Sequence, residues 1–202
     1  MAEIDALKNR EKDWFAGLFG DEKIVAEVAI EVFKRVVFAR HMTGGCYNLA
    51  FFIREYLKRE KDIDVEMVVG WITEDSWAGC SSHAWIEHNS KKTDVSLSIT
   101  EQPNIQLTGS VIIQDFDYRR GATTYVYQRE SPANARIYLD LAASKSAEFN
   151  RNYRRKEIEH LSMKALAERE GGASEYFNMA PVDMKYETMK KIMASKLEIP
   201  VL

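Results

Sequence analysis

The first third of the chain carries apolar residues at helical spacing. In residues 22–38 they recur every three or four positions, which predicts one helix with Asp21 as its N-cap. A shorter helix is predicted over residues 3–16. After a polar, glycine-containing break at residues 42–45, the segment 46–60 presents one broad apolar face and predicts a third helix.

The next segment changes to the alternation that is typical of strands. Residues 65–72 predict a buried strand, and the polar run 73–81 is interpreted as a substrate-facing loop. Residues 82–88 and 93–99 alternate cleanly, and a tight turn near residue 89 would pair them as a hairpin. Side chains two apart along a strand share a face, so polar residues of both strands are expected on one side of this hairpin.

The second half of the chain begins with two more strands and then becomes helical. Strands are predicted at residues 109–116 and 121–128, joined by a turn at 117–121. Residues 133–170 predict continuous helix, which Gly171 and Gly172 stop, and a final helix is predicted over 182–196.

Composition and length bound the class of protein. The chain has 202 residues, of which 46% are hydrophobic and 29% charged, as in ordinary globular proteins. The formal net charge of -3 provides no general attraction to nucleic acid or anionic membrane. No apolar run reaches the roughly 18 residues of a membrane-spanning helix, and the N-terminus is too polar for a signal peptide. We therefore expect a cytoplasmic protein with no membrane partner, for which nucleic acid is an unfavoured partner.

We divide the chain into a catalytic core, residues 1–131, and a helical C-terminal extension, residues 132–202. The expected fold class is α+β, with N-terminal helices, an antiparallel β-sheet and the helical extension packed on the core. The oligomeric state is left open.

Three residues suited to nucleophilic catalysis follow one another along the predicted elements. Cys46 lies at the start of the third helix, where free backbone amides and the helix dipole stabilise an anion. His83 and Asp94 lie on the paired strands, where a shared face would bring their side chains together. Their order predicts Cys46 as nucleophile, His83 as base and Asp94 as the residue that orients the imidazole. The backbone amide of Cys46 is the expected oxyanion donor.

Four residues near these three are candidates for contact with a substrate. Gly44 and Gly45 have no side chains, so a substrate backbone can approach the sulfur and the chain can reverse sharply before the helix. Trp77 and Trp85 are interpreted as walls of a substrate cleft, with packing in the core as the alternative.

The stretch from residue 44 to 97 resembles the core of the transglutaminase-like superfamily, within the broader papain-like fold. The resemblance rests on the Gly-Gly-Cys helix start, a following strand that ends near Gly70, the His-Ala-Trp motif at residues 83–85 and the later Asp94. It implies the catalytic roles given above. It also implies a reaction on an amide or peptide bond through a thioester, of the peptidase, glutamine deamidase or transglutaminase type, with a peptide or protein substrate and no cofactor.

Two other functions remain open at this point. Asp94 is followed by Val95, as in arylamine N-acetyltransferases, which use the same three residue types, so acyl transfer from a thioester cofactor is one alternative. A non-catalytic binding module with a dormant triad is the other.

Some positions near the triad carry no firm role. Cys80 is interpreted as a loop residue, with a second thiol near the site as the alternative. A mixed metal site of both cysteines with His83 and Asp94 has suitable ligand types but no short paired motif, and no metal is expected. A second oxyanion donor has only positional candidates, namely Trp14, Arg40 and His41.

Overall fold

The computed structural model describes residues 2–101 and 106–195 and shows a mixed α and β fold. Helices flank a curled, four-stranded antiparallel sheet. No helix in those two ranges is long and apolar enough to cross a membrane.

The N-terminal helices agree with the sequence pattern, with two corrections. The structure has α1 (Ala2–Ala16), α2 (Gly20–Val32) and α3 (Cys46–Lys61). The helix predicted over 22–38 changes at its last six residues to a π-helix, Phe33–Phe38. The N-cap of α2 is Phe19, which makes no side-chain capping bond, so the prediction of Asp21 as cap is wrong. A six-residue segment is too short for its apolar spacing to distinguish the i→i+5 hydrogen bonds of a π-helix from those of an α-helix.

Two long strands form the centre of the sheet. β1 (Glu66–Glu74) and β2 (Trp77–His88) are antiparallel neighbours, with Gly70 opposite His83. The loop predicted over residues 73–81 is wrong, because only two residues separate the strands. Its polar residues are explained by the exposed ends of a hairpin that extends beyond the core.

The predicted tight turn after β2 is confirmed, but the strand that follows is short. β3 (Lys91–Thr93) pairs with β2 with Ile86 opposite Thr93. Asn89 and Ser90 both have positive φ, 51° and 62°, as a two-residue hairpin turn requires. Residues 94–99 do not continue the predicted strand. Instead Asp94 leaves the ladder and exchanges two backbone hydrogen bonds with Ile112, at 2.7 and 2.8 Å.

The last three strands are joined differently from the prediction. β4 (Val111–Ile113) and β5 (Phe116–Arg119) form a separate two-stranded sheet, and β6 (Val126–Gln128) pairs with β1 at the edge of the main sheet. The turn predicted at 117–121 is wrong. It lies at Gln114 and Asp115, whose φ angles are 51° and 60°.

The C-terminal residues are helical but more divided than the sequence predicted. The elements are α4 (Ala133–Lys145), α5 (Ala147–Glu168), α6 (Gly172–Met179), a short 3₁₀ turn (Val182–Met184) and α7 (Tyr186–Ala194). Ser146 ends α4 and caps α5 by accepting a hydrogen bond from the Phe149 amide. The predicted final helix over 182–196 begins as the 3₁₀ turn, and its residue 196 lies outside the described residues.

One apolar core joins both parts of the chain. It contains residues of α2, α3 and the sheet, and it also contains residues of the last helices, among them Leu166, Phe177 and Met189. Helices α5, α6 and α7 therefore share this core, whereas Ala135 and Leu139 of α4 pack with Cys80 in a smaller cluster. Ala84 and Ile86 of β2 lie in this core, as their alternation predicted, whereas His83 and Trp85 face away from it.

Candidate active site

Cys46 is placed at the first position of α3 by a glycine-dependent turn. Gly45 is the N-cap residue, and the preceding Gly44 has φ of 62°, a conformation that favours glycine. The first backbone amides of a helix have no partner within it, so they point at whatever lies before the helix. Cys46 is half-buried and lines a cavity of about 440 Å³, together with Gly44 and Gly45. The prediction that Cys46 lies at a helix N-terminus is confirmed.

His83 and Asp94 are in direct contact. Nε2 of His83 lies 2.6 Å from Oδ2 of Asp94, and the two residues are only 4% and 3% exposed. This contact leaves Nδ1 as the ring nitrogen that is available to Cys46. His83 lines the cavity beside the cysteine. The structure thus brings together the three residues that the sequence singled out.

The Asp94 carboxylate is held by three further hydrogen bonds. Its Oδ1 accepts from the Ser96 amide at 2.9 Å and from the Ser96 hydroxyl at 2.7 Å, and its Oδ2 accepts from the Tyr127 hydroxyl at 2.7 Å. A buried carboxylate is costly unless such donors replace water. Ser96 and Tyr127 therefore fix the carboxylate with one oxygen toward the imidazole.

Burial and charge oppose each other at the pair. Burial by itself would lower the pKa of His83, but the negative charges of Asp94 and Cys46 and hydrogen bonds to both raise it. Burial likewise would raise the pKa of Asp94, but the His83 charge and the bonds from His83, Tyr127 and Ser96 lower it. The pKa of Tyr127 is well above its usual value, first through burial and then through Asp94, so this hydroxyl remains a donor. The site accordingly favours the charged forms of both partners, an imidazolium on His83 and a carboxylate on Asp94.

The cavity beside the triad is walled by different aromatic residues from those predicted. Trp71 of β1 and Tyr153 of α5 line it, whereas Trp77 and Trp85 are not among its described lining residues. Trp85 is 2% exposed and covers Gly70, so it packs inside the protein, and Trp77 is 38% exposed on the hairpin beyond the core. Trp85 is therefore buried on the side of β2 that faces away from the main core, and no described contact places Trp77 at the cavity.

Cys80 lies in a strand and not in the predicted loop. It is buried within β2, where its sulfur is 3.4 Å from the Ser131 hydroxyl and it packs against Ala135 and Leu139 of α4. Burial raises the pKa of its thiol. Cys80 also lines the cavity. It is a second thiol near the site, but its surroundings favour the protonated form.

The remaining sequence candidates do not reach the cavity. Trp14 stacks on Phe116 at 4.3 Å, and neither Arg40 nor His41 is among the described residues that line the cavity. Within residues 2–101 and 106–195 no three His, Cys, Asp or Glu side chains are grouped to hold a metal ion.

Sequence reasoning missed several polar residues of this site. Ser96 had a usable signal, since an aspartate side chain commonly accepts a hydrogen bond from the backbone amide two positions later. Tyr127 and His160 had none, because they reach the site from distant parts of the chain.

Comparison with known proteins identifies no family for this chain, so a function has to be inferred from the geometry of the site. No family model, no curated protein and no solved structure matches this chain.

Proposed function

We propose that this chain is a Cys-His-Asp enzyme that cleaves or exchanges an amide bond through a thioester, on a transglutaminase-like core of the papain-like fold. The observation that carries the proposal is the buried His83, whose Nε2 is bonded to Asp94 and which lines one cavity with the helix-terminal Cys46. A structural histidine has no need of this arrangement, since burying a charged pair costs stability.

In the first half-reaction the thiolate of Cys46 attacks the amide carbonyl carbon. The C–S bond forms, and the carbonyl oxygen becomes an oxyanion that the Cys46 amide stabilises at the helix N-terminus. His83 then donates its Nδ1 proton to the amide nitrogen, the C–N bond breaks, and the amine leaves. Asp94 keeps Nε2 protonated throughout, so the exchanged proton is always the one that faces the sulfur.

In the second half-reaction water or a second amine attacks the thioester carbon. His83 removes a proton from the attacking group, the C–S bond breaks, and the thiolate of Cys46 is restored. Water gives a carboxylic acid, as in a peptidase or deamidase, and an amine gives a new amide. The cavity is lined by both polar and apolar residues, as a peptide or protein side chain would require.

The first test is the reactivity of the two cysteines with iodoacetamide. Cys46 should be alkylated at least about 10-fold faster than Cys80 at pH 7, because it faces an imidazolium whereas the Cys80 thiol is buried and protonated. Peptide mass spectrometry reads both sites in one sample, so Cys80 serves as the internal control. Equal rates would overturn the proposal.

The second test is turnover. We expect ammonia release from glutamine-containing peptides, or cleavage of a peptide library, that Cys46→Ala abolishes and Cys80→Ala leaves in place. Thermal unfolding of both variants should show that they remain folded. Labelling of Cys46 by acetyl-coenzyme A, without action on peptides, would instead assign the chain to acyl transfer.

A further inference from the structure

A second hydrogen-bonded chain lies beside the triad. The Tyr47 hydroxyl is 2.6 Å from the Ser82 hydroxyl, which is in turn 2.6 Å from Nδ1 of His160. Tyr47 and Ser82 directly adjoin Cys46 and His83 in the sequence, and all four line the cavity. Two sets of three residues, Cys46–His83–Asp94 and Tyr47–Ser82–His160, therefore meet at one cavity. In each set the first residue lies on α3 and the second on β2.

The last member of this chain is held firmly by its neighbours. His160 is 6% exposed and stacks on Trp71 with ring centroids 4.4 Å apart. Its pKa is lowered, first by burial and then by the charge of Lys164, although Glu130 opposes the change. His160 is therefore a neutral imidazole near pH 7, with one nitrogen free to accept a hydrogen bond.

The first member remains a phenol. Burial is the main cause that raises the pKa of Tyr47, and the Ser82 contact opposes it only in part. Either hydroxyl can be the donor in the Tyr47–Ser82 contact, and a neutral imidazole accepts at Nδ1 in one of its two tautomers. In that tautomer Ser82 donates to His160 and Tyr47 donates to Ser82. The remaining lone pair of the Tyr47 oxygen is then an acceptor at the cavity.

We propose that His160 accepts at Nδ1, and that the Tyr47 oxygen, held by Ser82 and His160, accepts a hydrogen bond from the N–H of the substrate amide. This inference rests on the proposed function. It assigns the substrate class as primary or secondary amides, which carry an N–H, in preference to tertiary amides and esters, which do not. Tyr47 is then a substrate-binding residue, and Ser82 and His160 are positioning residues.

The experiment compares two alkylating probes that differ in this N–H. Iodoacetamide carries it, and 2-iodo-N,N-dimethylacetamide does not; with both, the sulfur displaces iodide as the C–S bond forms. The quantity measured is the ratio of their second-order rate constants at Cys46. Tyr47→Phe should lower this ratio about 3- to 10-fold, the effect of one neutral hydrogen bond. The added methyl groups affect both proteins alike, so their bulk cancels when the ratios are compared.

Two further variants separate the chain from general packing. Ser82→Ala should lower the ratio as Tyr47→Phe does, and Ser82→Thr, which keeps the hydroxyl, should restore it. Tyr56→Phe is the matched control, because Tyr56 is on the same helix but is not among the described residues that line the cavity. It should leave the ratio unchanged.

Each other outcome overturns the inference in a recognisable way. If Tyr47→Phe slows both probes equally, the hydroxyl donates to the carbonyl oxygen instead of accepting from the N–H. If it slows neither while Cys46 stays fast, Tyr47 does not contact the probe. If Cys46 of the wild-type protein reacts no faster than Cys80, the proposed function itself fails, and the inference fails with it.

Discussion

Replacing Asp94 with asparagine is the most direct perturbation of the triad. Oδ1 of Asp94 accepts two hydrogen bonds from Ser96, and an asparagine oxygen can keep both. The amide nitrogen then takes the place of Oδ2 and faces Nε2 of His83 as a donor. Nε2 must become the acceptor, so the imidazole proton moves to Nδ1 and its charge is lost.

The structure gives the size of the effect. The lost interaction is a buried hydrogen bond between charged groups, which contributes about 1.5–3 kcal/mol. Since about 1.4 kcal/mol corresponds to one pKa unit, the pKa of His83 should fall by about one to two units, and the pH profile of Cys46 alkylation should change with it. The direction follows from the pKa of His83, which Asp94 raises and which burial lowers once the carboxylate is gone.

The assay is the rate of iodoacetamide alkylation of Cys46 between pH 5 and 10, read by mass spectrometry with Cys80 as the reference. Asp75→Asn is a matched control, because Asp75 is exposed in the turn between β1 and β2. It should leave the profile in place. An unchanged profile for a folded Asp94→Asn protein would refute the electrostatic role of Asp94 and, with it, the triad.

The remaining predictions concern the support of the site. Tyr127→Phe removes one donor to Asp94 and should lower the free energy of unfolding by about 1.5–3 kcal/mol in a urea titration; no loss would show that the bond is not formed. Gly70→Ala should cost about 1–3 kcal/mol, because a Cβ there would lie 2.4 Å from the Gln128 carbonyl oxygen and 2.6 Å from the Trp85 ring; a thermal midpoint equal to that of the wild-type protein would contradict this packing. The lowered pKa of Asp94 means that the unfolded chain binds a proton before the folded one, so wild-type stability should fall as the pH drops below about 4. Asp94→Asn should lack this part of the loss of stability, which parallel acid titrations of the two proteins measure. An equal loss of stability in both proteins would contradict the prediction.

Local patterns predicted the elements better than their ends. The apolar spacing that predicts α3, and the alternation that predicts β2, depend only on neighbouring residues, so both elements could be found from the sequence. The turn after β2 was also predictable, since Asn89 and Ser90 suit a two-residue hairpin turn. The loop at residues 73–81 and the turn at 117–121 were wrong, because polar side chains at an exposed hairpin end or on a small sheet look the same as those of a loop.

Cys46, His83 and Asp94 could be recognised from local patterns, because each lies in a context that marks it. The residues that surround them depend on how distant parts of the chain pack. Tyr127 reaches Asp94 across 33 positions in the chain, and His160 reaches Ser82 across 78. Packing of β6 on β1 and of α5 on the sheet brings these residues to the site. Long-range packing of this kind is set by the whole core, and no local pattern of residues records it.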